Sequence, residues 1–450
     1  MTGRYKAYPE YKNTDEVWLG DVPSHWRDLK INRLTIVKRG ASPRPIDDPQ
    51  YFDETGEYAW VRIADVTASD TYLKNTTQRL SPLGASLSVK LEPNELFLSI
   101  AGTVGKPCIN KIKACIHDGF VYFPEFKENT KFLFYIFAAG EAYKGLGKFG
   151  TQLNLNTETV GGIKIGIPCI EEQQKIANFL DHETAKIDTL IAKQEKLIGL
   201  LKEKRQAVIS HAVTKGLNPQ APMIDSGVEW LGKVPEHWDI TSLRRFINKM
   251  EQGKSPECDS SPAPIEHWGV LKTSCVNNAK FDPTANKMLP PNIEPHSKYE
   301  VKGGDILMSR ASGSINLIGS VAKVQNDVRT KILLSDKVFR LYLTSLMNTD
   351  FFVHLMASNY VRTLVENAIS GAEGMANNIT KSAIMDFTIP VPPVEEQKLV
   401  VAELEKQVNR FDILVAKAES VNTLIKERKT ALISAAVTGK IDVRDWQGAH

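Results

Sequence analysis

The sequence predicts a mixed α/β (α+β) protein in which one domain occurs twice, the two copies being separated by two long antiparallel coiled-coil helices and related as a pseudo-twofold internal repeat. Three observations lead to this fold class: a tryptophan-rich phrase recurs, a long proline-free segment recurs, and the segments enclosed between them share landmarks in the same order. Internal repetition of this kind determines an architecture more firmly than a single motif does.

Two phrases are repeated with few changes. The first reads EVWLGDVPSHW at residues 16–26 and VEWLGKVPEHW at residues 228–238, and the second opens with E-E-Q at Glu171 and again at Glu395. The offset is 212 residues for the first phrase and 224 for the second, so the second enclosed segment is 12 residues longer. The duplication therefore kept the ends of the repeat while the interior diverged.

Fainter landmarks return in order inside both enclosed segments. They are G-x-S-P at residues 40–43 and 253–256, a tryptophan before an apolar run at Trp60 and Trp268, LFLSIAGTVGK from Leu96 and ILMSRASGSI from Ile306, and HDGFVYF from His117 and SDKVFRL from Ser335. Short apolar runs with β-branched residues, separated by Gly, Pro and Asn, are typical of strands and turns. The two segments are therefore predicted to be two copies of one mixed α/β domain, with both tryptophans in the core.

Both proline-free segments predict a long helix, because they are rich in Lys, Glu, Leu, Ala and Ile. An apolar heptad runs along each of them, which indicates two helices that pair along a seam. The predicted seam is Leu180, Ile187, Leu190, Leu197, Leu201 and Val208 on the first helix and Leu404, Phe411, Leu414, Val421, Ile425 and Leu432 on the second. Antiparallel pairing would place one globular copy at each end of a rod roughly 65 Å long. The alternative is that each helix packs only on its own domain.

Composition is that of a water-soluble globular protein, with 42% hydrophobic and 24% charged residues. Neither a signal peptide nor a run of 18 apolar residues occurs, so a cytoplasmic location without membrane contact is the expectation. The five cysteines include no C-x-x-C pair, which argues against a disulfide framework and a zinc site and favours reduced, mostly buried thiols. A net charge of +3 permits a nucleic-acid partner without demanding one.

Several apparent catalytic motifs lack the context that their chemistry requires. G-x-G-x-x-G at residues 145–150 is followed by a polar turn and not by a helix, and G-K-S at 253–255 lacks the upstream glycine of a phosphate loop. D-P-Q-Y at 48–51 lacks the second proline of the amino-methyltransferase signature and reads as a surface turn. The His117-Asp118 pair becomes Ser335-Asp336 in the second copy, so the histidine is not part of the shared design. No catalytic residue and no metal site is predicted.

Basic and amide side chains at loop-like positions are the candidates for a DNA contact. Arg or Lys suits guanine, Asn or Gln suits adenine, and Lys and Arg also neutralise phosphate. The candidates are Lys38, Arg39, Arg44, Arg62, Lys74, Arg79, Lys148 and Gln152 in the first copy, and Lys254, Lys272, Asn277, Arg310, Arg362, Asn377 and Asn378 in the second. For each of them, a solvated surface position is the alternative.

The order of variable segment, long helix, variable segment and long helix, together with WLGDVPSHW, WLGKVPEHW, IPCIEEQQKIANFL and VPPVEEQKLV, closely resembles the specificity subunits of type I restriction-modification systems. The resemblance covers essentially the whole chain. It implies two target-recognition domains that each read half of a split double-stranded DNA sequence, and paired helices that space them and dock two methyltransferase subunits. Restriction (endonuclease/translocase) subunits can be added. S-adenosylmethionine, ATP and Mg²⁺ would serve those partners, so this chain is expected to bind no cofactor.

With this resemblance the predicted domains are a first target-recognition domain with its W-L-G-x-V-P-x-H-W segment at 1–167, a first spacer helix at 168–216, a second target-recognition domain at 217–391, and a second spacer helix with a C-terminal tail at 392–450. Two other functions compete with this interpretation. One is a stand-alone enzyme that modifies nucleic acid, which the missing cofactor and metal motifs oppose. The other is a two-lobed coiled-coil adaptor that binds only proteins.

Overall fold

A computed structural model describes residues 5–143, 146, 155–277, 279–369 and 377–448. The chain divides into two compact units, unit 1 (Met1–Glu195 and Ser420–His450) and unit 2 (Lys196–Glu419). Each unit combines strands with helices, which confirms the predicted mixed α/β class. None of the described helices is both long enough and apolar enough to cross a membrane.

Unit 1 has short strands and a few helices before its long one. The strands are β1 (Tyr11–Lys12), β2 (Val22–Pro23), β3 (Arg27–Lys30), β4 (Lys38–Arg39), β5 (Tyr58–Val61), β6 (Tyr72–Leu73), β7 (Gln78–Leu80), β8 (Val89–Leu91), β9 (Leu96–Ser99), β10 (Pro107–Asn110), β11 (Ala114–Ile116), β12 (Phe120–Tyr122) and β13 (Lys164–Ile167). The helices are α1 (Ile63–Ala68), α2 (Pro82–Ser86), α3 (Thr130–Ala138), α4 (Thr157–Gly162) and α5 (Ile170–Lys215), whose second half belongs to unit 2.

Unit 2 likewise has short strands and a few helices before its long one. Its strands are β14 (Met223–Asp225), β15 (Lys233–Pro235), β16 (Asp239–Ser242), β17 (Ile247–Gln252), β18 (Gly269–Leu271), β19 (Val276–Asn277), β20 (Lys280–Phe281), β21 (Asn286–Met288), β22 (Ile306–Ser309), β23 (Ala311–Ser312), β24 (Val321–Lys323), β25 (Ile332–Leu333), β26 (Val338–Leu343), β27 (Asn377–Asn378) and β28 (Thr388–Val391). Its helices are α6 (Thr349–Met356), α7 (Asn359–Ala368), α8 (Lys381–Met385) and α9 (Val394–Val437), whose second half belongs to unit 1.

The central sheets show that the two units are copies of one fold. Unit 1 has a sheet in the order β4-β12-β9-β10-β6, and unit 2 has one in the order β17-β26-β22-β24. Strand pairs in matching places are antiparallel in both, with Phe120 opposite Ser99 in unit 1 and Val338 opposite Ser309 in unit 2. The predicted internal repeat is therefore present down to the register of individual strands.

One predicted landmark is misaligned. Trp60 on β5 lies opposite Cys115, and Val270 on β18 lies opposite Leu333, in two parallel strand pairs. Cys115 stands three residues before Asp118, and Leu333 stands three residues before Asp336, so these two residues correspond. Their strand partners therefore correspond as well, and Val270, not Trp268, is the counterpart of Trp60. Trp60 is buried, as predicted, whereas Trp268 precedes its strand and is only half-buried.

The long helices run antiparallel in each unit, as predicted. In unit 1, Asp188 on α5 pairs with Lys429 on α9, and Glu195 further along α5 pairs with Lys426 further back on α9. In unit 2 the same opposite progression is made by Lys202 with Glu419 and Arg205 with Asp412. The helices also pack on their own domains, since Phe179 and Leu180 of α5 belong to the core of unit 1.

Four of the twelve predicted seam residues are wrong. Leu190, Leu197, Leu414 and Val421 are 52%, 43%, 48% and 42% exposed. In each case the buried or half-buried residue stands one position further along the helix: Ile191, Ile198, Val415 and Asn422. The apolar stripe therefore steps by four and then three residues from Ile187, and not by three and then four. Adjacent apolar residues such as Leu190 and Ile191 fit either stripe, so the sequence did not distinguish them.

A glutamate carboxyl group, buried in unit 1 and half-buried in unit 2, ties each repeated tryptophan phrase to the first turn of a long helix. Glu172 of α5 accepts hydrogen bonds from Trp26 Nε1 (2.9 Å) and Tyr8 Oη (2.6 Å), and its second oxygen lies 2.9 Å from His25 Nε2. Glu396 of α9 repeats this with Trp238 Nε1 (3.1 Å) and His237 Nε2 (2.7 Å). The H-W and E-E-Q phrases of the sequence are therefore the two halves of one contact.

The glutamine of E-E-Q makes a second tie in both units. Gln173 Oε1 accepts from the backbone N–H of Asn129, the N-cap of α3, at 2.9 Å. Gln397 Oε1 accepts from the N–H of Asn348, the N-cap of α6, at 2.7 Å. Each long helix is thus fixed at its start to both the tryptophan phrase and a short helix of the same domain.

The same phrases also receive the far ends of the long helices. After α9, Gly439 has a φ of +68° and lies against Pro23, and its carbonyl accepts from Tyr11 Oη at 3.0 Å. After α5, Gly216 has a φ of +76° and lies against Trp238. A side chain at Gly439 would sit 2.3 Å from Pro23, so this position needs glycine both for its φ and for its close approach.

All five cysteines are free thiols in the structure. Cys108, Cys115 and Cys275 are buried, and burial raises the pKa of each to about 12. Cys169 is exposed and Cys258 is half-buried. Most of the thiols are therefore protonated core groups, as predicted.

The carboxylate of Glu172 should contribute to stability while its neighbour Glu171 should not. Replacing Glu172 with Gln leaves a buried amide that cannot accept from all three donors, so Glu172→Gln should lower the free energy of unfolding by about 1–3 kcal/mol. Glu171 is exposed, and Glu171→Gln should change it by no more than about 0.5 kcal/mol. Urea unfolding followed by tryptophan fluorescence measures both variants. Equal effects of the two substitutions would show that the carboxylate does not hold the phrase to the helix.

Candidate nucleic-acid interface

Four of the predicted contact residues of unit 2 lie together at one end of its central sheet, where β17 and β22 end and β26 begins. We call this end of the sheet the edge. Lys254 is exposed in the loop after β17, and Arg310 follows β22. Asn377 and Asn378 form β27, which pairs with β23 directly after Arg310, with Ala311 opposite Asn378. The N–H of Ile379 donates to the carbonyl of Arg310 at 3.0 Å, which closes this group.

Asp336 lies at the centre of the unit 2 group. Its carbonyl accepts from Gln252 Nε2 at 2.8 Å and lies 3.5 Å from an Arg310 nitrogen, while its carboxylate accepts from the hydroxyl of Ser255. The guanidinium of Arg310 stands over the ring of Phe339 at 5.8 Å. Arg310 is therefore held near a buried aromatic ring and is only half-exposed.

Unit 1 builds the corresponding group around Asp118. Arg39 on β4 donates from Nε to the carbonyl of Asp118 at 2.5 Å, and Arg44 Nη2 lies 3.2 Å from its carboxylate. The hydroxyl of Ser42 donates to the same carboxylate at 3.1 Å. Lys38, the other residue of β4, is exposed beside Arg39. Three predicted contact residues of unit 1 therefore share one edge.

Glycine and serine of the repeated G-x-S-P phrase shape this edge in both units. A side chain at Gly40 would lie 2.2 Å from the carbonyl oxygen of His117, and one at Gly253 would lie 1.7 Å from that of Leu334. Only glycine lets the loop approach the backbone just before the central strand so closely. The serine two residues on then binds the aspartate, Ser42 with Asp118 and Ser255 with Asp336.

The aspartate, and not the histidine before it, is the shared chemical group at this edge. Burial would raise the pKa of Asp118, but the hydrogen bond from Ser42 and the positive charges of Arg44 and Arg39 bring it below its usual value. Burial lowers the pKa of His117, whose Nδ1 accepts from the N–H of Gly119 at 2.8 Å. Asp118 is therefore ionised near neutral pH and orients the arginines around it.

Other predicted candidates lie elsewhere. Lys74 follows β6, at the opposite edge of the five-stranded sheet from β4. Arg79 donates to the carbonyls of Gly56 and Glu57, and Arg62 contacts Thr77 and Asp65. These two guanidinium groups hold loops of unit 1 in place. Lys148 and Gln152, like the glycine-rich motif at 145–150, lie outside the described residues except for Leu146.

In unit 2, Arg362 is used inside the fold. Its guanidinium donates to the carbonyls of Ile315 and Ile318 and pairs with Glu366. Lys272 donates to the carbonyl of Ser260, and Asn277 is exposed on the small β19-β20 hairpin. These residues are not part of the group around Asp336.

Sequence reasoning missed the residues that organise the edge. The residues are Asp118, Asp336 and Ser255. The repeated landmarks could have identified them, because serine and aspartate recur in both copies whereas the basic residues do not. Among the described residues, no group of three or more His, Cys, Asp or Glu side chains could hold a metal ion.

Comparison with known proteins places the chain. A family model described as the type I restriction modification DNA specificity domain matches residues 23–198 and again residues 235–423. The specificity subunit of the type I restriction enzyme EcoEI from Escherichia coli is 28% identical over 54% of this chain and 40% of that protein. That of MjaVIII from Methanocaldococcus jannaschii is 24% identical over 94% of this chain and 95% of that protein.

The match spans less than two thirds of the length of the first curated relatives, including EcoKI at 61%. A structure solved for the assembly and conformational transition of the type I R-M system shares the fold, with a TM-score of 0.67, 14% identity, and coverage of 93% of this chain and 99% of that one. The curated relatives are specificity subunits, so at the level of the family the prediction of a non-catalytic chain is confirmed. The family model matches this chain twice, and the two matches together cover most of the chain. The chain therefore belongs to the type I restriction-modification DNA-specificity family.

Proposed function

We propose that this chain reads DNA for a type I restriction-modification complex, with each unit contacting one half of a split, non-palindromic target. The observation that carries the proposal is the repeated edge, in which the same glycine, serine and aspartate present different exposed side chains in the two units. Repeated supports favour one task performed twice, and different side chains favour two different base sequences. The chain would thereby direct methyltransferase subunits, and restriction subunits where present, to the target.

The long helices would act as the spacer between the two reading edges. Two short contacts that are each weak become one selective contact when a stiff element holds them at a fixed distance, because the second contact is then effectively intramolecular. Antiparallel pairing within each unit, with charged pairs along the helices, supports a stiff element. A net charge of +3 supplies little general attraction to phosphate, so binding by this chain alone should be modest and salt-sensitive.

The exposed apolar residues of the helices are the proposed docking sites for two methyltransferase subunits. Unit 1 exposes Leu190, Val421 and Leu424, and unit 2 exposes Leu197, Leu200 and Leu414. These residues correspond pairwise at the 224-residue offset of the helices: Leu190 with Leu414, Leu197 with Val421, and Leu200 with Leu424. Exposed apolar groups that recur in both copies support one partner that binds twice.

The cofactors of the complex are assigned to the partners. We place S-adenosylmethionine on the methyltransferase subunits, and ATP with Mg²⁺ on the restriction subunits. This chain would bind none of these cofactors. It would act in the cytoplasm, together with the DNA.

Single-molecule methylation sequencing tests the reading function. DNA from cells that express this chain with its neighbouring methyltransferase should carry a new, split N6-methyladenine motif with two unequal halves, and the motif should vanish from cells that lack only this chain. An unaltered methylome would favour a protein-binding adaptor. Methylation by the purified chain with S-adenosylmethionine alone would instead favour an enzyme. Two equal half-sites would contradict the proposal of two different readers.

A charge placed in the apolar surface should weaken methyltransferase binding. The double variant Leu200→Lys, Leu424→Lys should reduce affinity about 10-fold or more, because a Lys there removes a buried apolar contact and must be desolvated. Glu203→Lys with Glu427→Lys is the matched control, since these residues stand three positions further along each helix at the same offset and are exposed. Analytical ultracentrifugation measures the stoichiometry, expected to be two per chain for the wild type. Equal losses in both double variants would remove the proposed site.

A further inference from the structure

We infer that the residue directly after each G-x-S-P phrase determines base specificity: Arg44 contacts a guanine in the half-site of unit 1, and Glu257 contacts a cytosine in the half-site of unit 2. This inference rests on the proposed function and names the base class at one position of each half-site. It follows from four features of the two edges: their matched backbone, the tie that orients the loop, the exposure of the residue, and its charge.

The loops that carry Arg44 and Glu257 are matched from the preceding strand to the serine of each G-x-S-P phrase. The residue before each phrase lies opposite the central strand in the same register, Arg39 opposite Val121 and Gln252 opposite Phe339. Each loop then passes the backbone at His117 or Leu334 so closely that only glycine fits, at Gly40 and Gly253. Arg44 and Glu257 both stand four residues after that glycine.

Each loop is tied down immediately before the residue in question. Ser42 and Ser255 bind Asp118 and Asp336, and the proline of each phrase follows. In unit 1 the carbonyl of Arg44 also accepts from Tyr51 Oη at 3.0 Å. The main chain is therefore held, and the side chain that projects from it is the variable part.

Arg44 is exposed and oriented at the same time. Its side chain is 70% exposed, and one guanidinium nitrogen lies 3.2 Å from Asp118. A carboxylate that holds one side of a guanidinium leaves the other donors in a fixed fork, which matches the O6 and N7 acceptors of guanine. A flexible phosphate contact would not need this orientation.

Glu257 is exposed in the matching place with the opposite charge. A carboxylate at a DNA-facing edge repels phosphate, so its presence favours a contact with a base donor, and the amino group of cytosine N4 is the donor that Asp and Glu accept from. The neighbouring Lys254, also exposed in the loop, supplies the positive charge that offsets it. The two edges would thus read complementary kinds of base with one scaffold.

Substitution with glutamine tests both residues, because Gln suits adenine. In the methylome assay with methyltransferase, Arg44→Gln should change one guanine of one half-site to adenine and reduce discrimination for guanine there about 10-fold or more, with the other half-site unchanged. Glu257→Gln should change one cytosine to adenine in the other half-site only. Arg33→Ala and Glu229→Gln are the controls, as exposed residues of unit 1 and unit 2 outside the two G-x-S-P phrases, and should leave the motif unchanged.

The possible outcomes separate this inference from the function on which it rests. A uniform fall in methylation at every site for Arg44→Gln would mark a phosphate contact and overturn the inference, as would an unchanged motif in either glutamine variant. A change in the same half-site by both variants would also overturn it. Failure of the wild-type chain to produce any motif would overturn the proposed function itself. The midpoint of thermal unfolding should equal that of the wild type in both variants, because Arg44 and Glu257 are exposed. This measurement verifies that both variants are folded.

Discussion

The carboxyl groups of Glu172 and Glu396, which join the tryptophan phrases to the long helices, are the interaction on which the rest of the structure depends. Glu172 is buried and the side chain of Glu396 is 29% exposed, and a carboxyl group withdrawn from water is stable only when hydrogen-bond partners surround it. Here the donors are an indole N–H, a histidine nitrogen and, in unit 1, a tyrosine hydroxyl. Neither half of this contact can change without leaving the other unsatisfied. This explains why the tryptophan and E-E-Q phrases survive as near copies while the segments between them have diverged.

The proposed reading edges follow the same division between fixed support and variable surface. Gly40 and Gly253 admit the close approach of neighbouring backbone, and the serine two residues on binds an aspartate in both units. The exposed residues above this support differ, with arginine at 44 and glutamate at 257. A duplicated fold can in this way present two chemically different edges without changing its framework. Charge matters locally at these edges, which is why the small net charge of the chain is compatible with a DNA-binding role.

The sequence predicted the elements whose information is local or repeated. Periodicity gave the two helices, and the repeat gave the duplicated α/β domain and its antiparallel pairing. It failed where adjacent residues were chemically alike or where the answer depended on distant backbone. Leu190 and Ile191 both fit an apolar heptad, and only packing selects Ile191. Arg79 and Arg362 looked like DNA contacts, but their donors are used by carbonyls from other loops. No local pattern reveals such partners, and the predicted domain boundaries stay a prediction.

The central claim is that the paired helices hold two readers at a set distance, and a change of helix length tests it most directly. Repeating residues 190–196 and 421–427 once adds one heptad to each helix, which preserves the facing of the seam, keeps the exposed apolar residues proposed for docking, and lengthens the helices by roughly 10 Å, or about 3 base pairs. Methylation sequencing should then show both half-sites with unchanged bases and a gap that is longer by up to about 3 base pairs. A folded variant that methylates the original motif with its original gap would contradict the account, because the helices would then not set the spacing.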